Sequence, residues 1–133
     1  MDEVFRPGTA QSKRGEVLEE WYRDQLRECV SPMIKKWESI LNVKVSHLSV
    51  QRMKTRWGSC NTTTKKIRLN TNLTHKKPEL IEYVVIHELL HLIEPSHNSR
   101  FVALMDQYVT NWRFCKDELN RSLLRYEEWK LKS

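Results

Sequence analysis

Residues that bend or staple a chain are scarce here: the 133 residues include three glycines, four prolines and three cysteines. The cysteines, Cys29, Cys60 and Cys115, are odd in number, far apart and form no CxxC pair. That pattern excludes a disulfide framework and a cysteine-rich zinc site, and it makes a reducing cytoplasm the expected compartment. A long hydrophobic run is missing too. The most apolar stretch, Leu80 to Ile93, is interrupted by Glu82, His87, Glu88 and His91. It is too short and too polar to span a bilayer, so no membrane partner is expected. No apolar run follows the opening MDEVFRPGTAQSKRG, which therefore does not read as a signal peptide.

Negative charge is absent from the middle of the chain. No acidic residue stands between Glu38 and Glu79, while Lys44, Arg52, Lys54, Arg56, Lys65, Lys66, Arg68, Lys76 and Lys77 do. In a chain of net charge +6, this basic hairpin region 44–77 could attract nucleic acid or an acidic polypeptide. The plainer account is a strand pair with a solvated basic face.

What is present is enough for one domain with a modest core, since 39% of the residues are hydrophobic. Residues 1–12 read as a flexible tail broken by Pro7 and Gly8, and 13–133 as a single domain. Val17, Leu18, Trp21, Tyr22, Leu26, Cys29 and Val30 recur at helical spacing. Ser31-Pro32 predicts a boundary, with Ser capping a second helix and Pro at its first position, through Ile34, Trp37 and Leu41 to Asn42. The period then changes. Lys44 to Lys54 reads as a strand, Asn61 to Thr64 as a turn and Lys65 to Asn70 as a second strand, together an antiparallel hairpin. Pro78 opens a helix apolar almost all round, hence buried, that Pro95 must end by Glu94. Asn98 or Ser99 caps a helix over 100–108 with Phe101, Leu104 and Met105 inside. A last helical region over 111–130 carries Trp112, Leu119, Leu123, Leu124 and Trp129. The expected class is α+β, mostly helices with a small antiparallel sheet.

Chemistry is concentrated in His87-Glu88-Leu89-Leu90-His91. On a helix, residues four apart share a face, so His87 and His91 can turn their imidazoles to one cation. Glu88 is displaced round the helix, where it reaches a water rather than the metal. A catalytic zinc takes a third protein ligand and keeps one position open, and His97, just past the Pro95 break, is the candidate. Glu94 is a rival ligand as a carboxylate inside the turn, and Cys60 a weaker one as a thiolate. Zinc suits hydrolysis as a redox-inert Lewis acid, although imidazoles also bind copper and iron. Two histidines on a buried helix can also be ordinary core residues. Against that, Glu88 and two imidazoles are costly in an apolar helix unless something pairs with them. His47, in a strand, and His75, in a polar loop, read as surface residues.

The run Met53-Lys54-Thr55-Arg56-Trp57-Gly58-Ser59-Cys60, then Ile67-Arg68-Leu69-Asn70, then Tyr83 to His91, then His97 and Phe101, resembles the YgjP-like metallopeptidase family. The resemblance covers roughly residues 13 to 125. It implies a minimal zincin-like fold with N-terminal helices, a small sheet, a buried active-site helix and C-terminal helices. It implies a zinc metallopeptidase acting on polypeptide, with His87, His91 and His97 on the metal and Glu88 as general base. More distantly the chain is similar to SprT-type and Wss-type proteases, which act on proteins bound to DNA. Family members usually carry further β-structure before the first helix, and almost none is expected in this sequence. Metzincins share the histidine spacing but have a glycine where Glu94 stands. Within the RWGSC segment, Gly58 suits a bulge or close backbone approach at the cleft. Arg56 suits an oxyanion or a substrate carboxylate, or an ordinary surface position. Trp57 reads as core.

Overall fold

The structure, a computed structural model, describes the backbone of residues 11–127 and the side chains of residues 15–122. The first ten residues of the expected tail lie outside it, as do the side chains of Leu123, Leu124 and Trp129. The element order is α1 (Gln11–Leu41), β1 (His47–Gln51), β2 (Gly58–Asn61), β3 (Lys66–Asn70), a 3-10 turn (Thr71–His75), α2 (Pro78–Leu90), α3 (Ser99–Tyr108) and α4 (Trp112–Glu127). The expected α+β class, with a small sheet and a buried HExxH helix, is what the chain adopts. Among the described residues, no helix is long and apolar enough to cross a membrane.

Two local expectations are overturned. The chain from Gln11 to Leu41 is one helix, and Pro32 lies inside it. Pro32 and Glu28, whose carbonyl loses its partner to the proline, are both exposed, so water can satisfy that carbonyl. Ser31 does not cap a new helix; its hydroxyl donates to the Arg27 carbonyl at 2.7 Å. The stripe Leu26, Val30, Ile34 and Leu41 is buried on both sides of the proline, and this packing carries the helix through. Asn42, at φ 58°, ends it in the left-handed conformation.

The sheet is mixed, not antiparallel. Its order is β1-β3-β2, with β1 parallel to β3 and β2 antiparallel to β3. A hairpin exists, but its arms are β2 and β3, and the Arg56–Cys60 segment read as a connection supplies one of them. The turn between them is tied by Asn61, whose side-chain oxygen accepts from the N–H groups of Thr63 and Thr64, and by Lys65 at φ 62°. β3 inserts between the two earlier strands, so Val50 pairs with Leu69 and Leu69 with Gly58. Val50, Ile67 and Leu69 are buried on the inner face. Lys66 and Arg68 alternate with them and are exposed.

α2 is the centre of the fold and packs against α1, β2, α3 and α4. Ile81, Val84, Val85, Ile86, Leu89 and Leu90 are all buried on it, which is why a helix apolar all round forms here. The continuity of α1 has a measurable consequence. Pro32→Ala restores an i→i−4 hydrogen bond on a solvent-facing turn and should raise the unfolding free energy by about 1–2 kcal/mol. Denaturant unfolding reads this, and a loss of stability on substitution would mean that α1 breaks at Pro32.

Candidate active site

The site begins where α2 ends. His91 is its C-cap, and the chain tightens as the N–H groups of Leu92 and Ile93 bond back to Leu89 and Leu90 at 3.0 and 2.9 Å. Pro95 then forces the chain out. Glu94 organises the exit: its carboxylate accepts from the Ser96 N–H at 3.3 Å, from Asn98 Nδ2 at 3.1 Å and from Arg100 at 3.4 Å. Asn98 in turn caps α3 by accepting from the Phe101 N–H at 3.0 Å. The sharp turn between α2 and α3 carries His97 back against the end of α2.

The three imidazoles converge. His97 Nε2 lies 2.9 Å from His91 Nε2 and 3.3 Å from His87 Nε2, and one ligand atom from each lies within 4.8 Å of the others. Nitrogens bound to a tetrahedral zinc at ordinary bond lengths stand about 3.3 Å apart, so the spacing suits one small cation. Phe101 touches all three rings, stacking on His91 with centroids 4.6 Å apart and standing 5.1 and 4.9 Å from His87 and His97. His91 Nδ1 is 3.2 Å from the Glu94 carbonyl. A proton on Nδ1 donated there leaves the Nε2 lone pair directed at the cluster. Glu94 therefore lies outside the cluster and acts on it through its backbone and its hold on the turn.

Burial sets the protonation of the group. It pushes His87 down to about 3, helped by His91, His97 and Lys116. His91 and His97 are lowered as well, burial being the main cause. Neutral imidazoles are the form that donates to a metal. Glu88 is buried at 7% exposure, and burial pushes its carboxyl up to about 8 against the opposing pull of Arg56.

Gly58 explains how Glu88 meets the sheet. A Cβ at this position would stand 3.0 Å from Val84 Cγ1 and 3.1 Å from both Cγ and Oε2 of Glu88. Any larger residue would press on Val84 and Glu88, so glycine lets β2 lie this close to the helix without displacing them. Asn70 holds the segment that carries it: buried completely, it donates to the carbonyls of Met53 and Arg56 and accepts from the Asn72 N–H, while its own N–H bonds Trp57. Trp57 is core, as expected, and its indole donates to the Leu119 carbonyl of α4 at 3.2 Å.

These elements enclose an open cleft of about 740 Å³ with Glu88, His87, His91 and His97 at its base. Arg56 and Gly58 line one wall, Lys116 and Asn120 of α4 another. Cys60 also lines it, but burial and Glu88 push its thiol up to about 11, and it stands outside the imidazole cluster. His47 and His75 are exposed and distant from it, His75 packing edge-on against Tyr22. The acid-free segment forms no single face: Arg56 enters the cleft, Arg52 pairs with Glu19, and Lys76 bonds Ser122 and covers Trp57.

Sequence reasoning missed Tyr83, Asn70 and Lys116. Tyr83 is 6% exposed and lines the cleft one helical turn before His87. Its i−4 spacing from His87 was a readable signal. Asn70 ends an otherwise apolar inner strand face, a weaker signal, and nothing local points to Lys116.

A buried HExxH helix beneath a small mixed sheet, with a third imidazole returned by the next turn, defines an α+β metallopeptidase. The family model described as YgjP-like, metallopeptidase domain, matches residues 1–122, and the chain belongs to this family. Among solved structures, the metallopeptidase zymogen abylysin of Pyrococcus abyssi superposes with a TM-score of 0.63 at 19% identity, over 71% of this chain and 94% of that one. The zymogen jannalysin of Methanocaldococcus jannaschii gives 0.53 at 21% identity, over 77% and 96%. At these identities the likeness is one of fold. No curated protein matches the sequence.

The contact at Gly58 can be tested directly. Gly58→Ala should cost about 1–3 kcal/mol of stability through overpacking and should reduce peptidase kcat/KM by displacing Glu88. Unchanged stability in denaturant together with unchanged kcat/KM would mean that β2 does not press on α2.

Proposed function

We propose that the metal of this metallopeptidase is zinc, held by His87, His91 and His97, with Glu88 as the general base. The convergence of three neutral imidazoles beside one buried carboxylate carries this reading. Zinc bound by such a set supplies a redox-inert Lewis acid that polarises a substrate carbonyl and activates water. The remaining work falls to the chain itself. Glu88 takes the proton from the attacking water on its carboxylate and returns it to the departing amine nitrogen. Burial raises this carboxyl, and a divalent cation beside it would favour the ionised form that accepts the proton.

Substrate binds extended along β2. This strand is the edge of the sheet, and its outer side is unpaired among the described residues. Adding a strand there satisfies the free backbone groups of both partners and draws a peptide bond past Glu88. Gly58 serves as the point of close approach. Arg56 faces the same space and steadies developing negative charge or a substrate carboxylate.

Two substitutions separate the roles. Glu88→Gln should retain metal, by elemental analysis, and lower kcat by about 10²–10⁴-fold; undiminished turnover would remove Glu88 from the mechanism. His97→Ala should lose most of the zinc that wild type carries at about one ion per chain. Full zinc retention by that variant would put another group in the third ligand position.

A further inference from the structure

The cleft has an uneven charge, of which the catalytic assignment uses only Arg56. Among the described residues, Glu88 is the only carboxylate that lines it, and it is buried at the base. The walls carry two cations, Arg56 from the connection between β1 and β2 and Lys116 from α4. Neither forms an ion pair with a carboxylate among the described residues, whereas their neighbours do: Arg52 pairs with Glu19, Arg113 with Asp106 and Arg121 with Glu118. Asp117, next to Lys116, is exposed and does not line the cleft.

The two cations reach the imidazoles from two different elements. Arg56 acts electrostatically on Glu88, His91 and His97, and Lys116 on His87 and His97. They come from elements far apart in sequence, and both line the cleft that β2 borders. Unpaired cations lining a concave, partly desolvated surface attract anionic ligands and repel cationic ones. A bound divalent metal adds charge of the same sign.

We propose that this cleft selects peptides carrying a carboxylate next to the scissile bond, received by Arg56 on one wall and Lys116 on the other. This rests on the peptidase reading above and adds a substrate class to it. Two sources present the same chemistry: an aspartate or glutamate side chain within the peptide, or a free C-terminal carboxylate one or two residues beyond the cut. In either case the opposite wall disfavours lysine and arginine at the matching positions.

Quenched fluorescent peptides differing only in Glu, Gln or Lys beside the cleavable bond test this on the zinc-loaded protein. A parallel pair of neutral peptides with free and amidated C-termini separates the two sources. The Glu peptide, or the free-acid peptide, should be preferred over its neutral isostere by about three- to tenfold in kcat/KM. The preference should shrink as ionic strength rises. Lys116→Met and Arg56→Gln should each bring the ratio toward one, and Lys116→Glu should shift it toward the Lys peptide. Equal cleavage of charged and neutral peptides, or a preference for Lys by wild type, overturns the proposal.

Binding gives an answer independent of turnover. Fluorescence anisotropy of the same peptides on the Glu88→Gln protein should show the same order of affinities. Selective binding without cleavage of any peptide by wild type would sink the peptidase reading and leave the anionic preference standing. Equal binding of the Glu and Gln peptides and of the free-acid and amidated pair overturns the preference itself.

Discussion

From Ile81 to Leu90 α2 has no exposed residue, and the rest of the molecule is arranged round that constraint. Eight of its residues are buried, including Glu88. A helix with apolar residues all round must be covered on every flank, and α1, the sheet, α3 and α4 supply the cover. Its polar residues are then forced inward with the apolar ones, where an uncompensated charge is costly. The imidazoles meet that cost by staying neutral, and Glu88 by a strongly raised pKa. Activity and burial are two sides of one arrangement.

Precision at the cleft comes from a few polar groups outside it. Asn70 clamps the crossing segment to the end of β3 and thereby sets Arg56 and Gly58 against α2. Glu94 does the equivalent for His97 by tying together the turn after α2. Trp37 of α1 donates to Glu82 of α2 at 2.7 Å and anchors the opposite flank. The bonds of Asn70 and Trp37 lie in a partly buried setting, where geometry is held more tightly, and those of Glu94 hold an exposed turn by their number. The reacting groups are thus positioned from three directions by residues that never touch substrate.

The cleft is also electrostatically one-sided. Its base holds a carboxylate whose charge is suppressed by burial, while its walls carry an exposed Arg56 and a half-buried Lys116. The abundance of basic residues over 44–77 suggested a continuous binding face, yet in three dimensions it divides. Part of it is spent on ion pairs and on covering Trp57, part faces solvent on β3, and Arg56 alone enters the cleft. Charge counted along the chain is therefore a poor guide to charge at the site.

What the sequence determined by itself was local. The spacing of His87 and His91, the end of the helix at Pro95, the cap at Asn98 and the turn at Asn61 follow from helix periodicity, proline's missing donor and short-range hydrogen bonds, and all were legible. Gly58 was legible as a point of close approach, though not what it approaches. The tertiary structure alone decided the insertion of β3 between β1 and β2, the passage of α1 through Pro32, and the arrival of Tyr83 and Lys116 at the cleft. Each of these depends on contacts between distant segments: buried stripes that outweigh a local helix breaker, and strands whose partners are chosen by which faces reach α2. Local rules act over a few residues, whereas the free energy that settles these questions is gained only when the apolar faces close on one another.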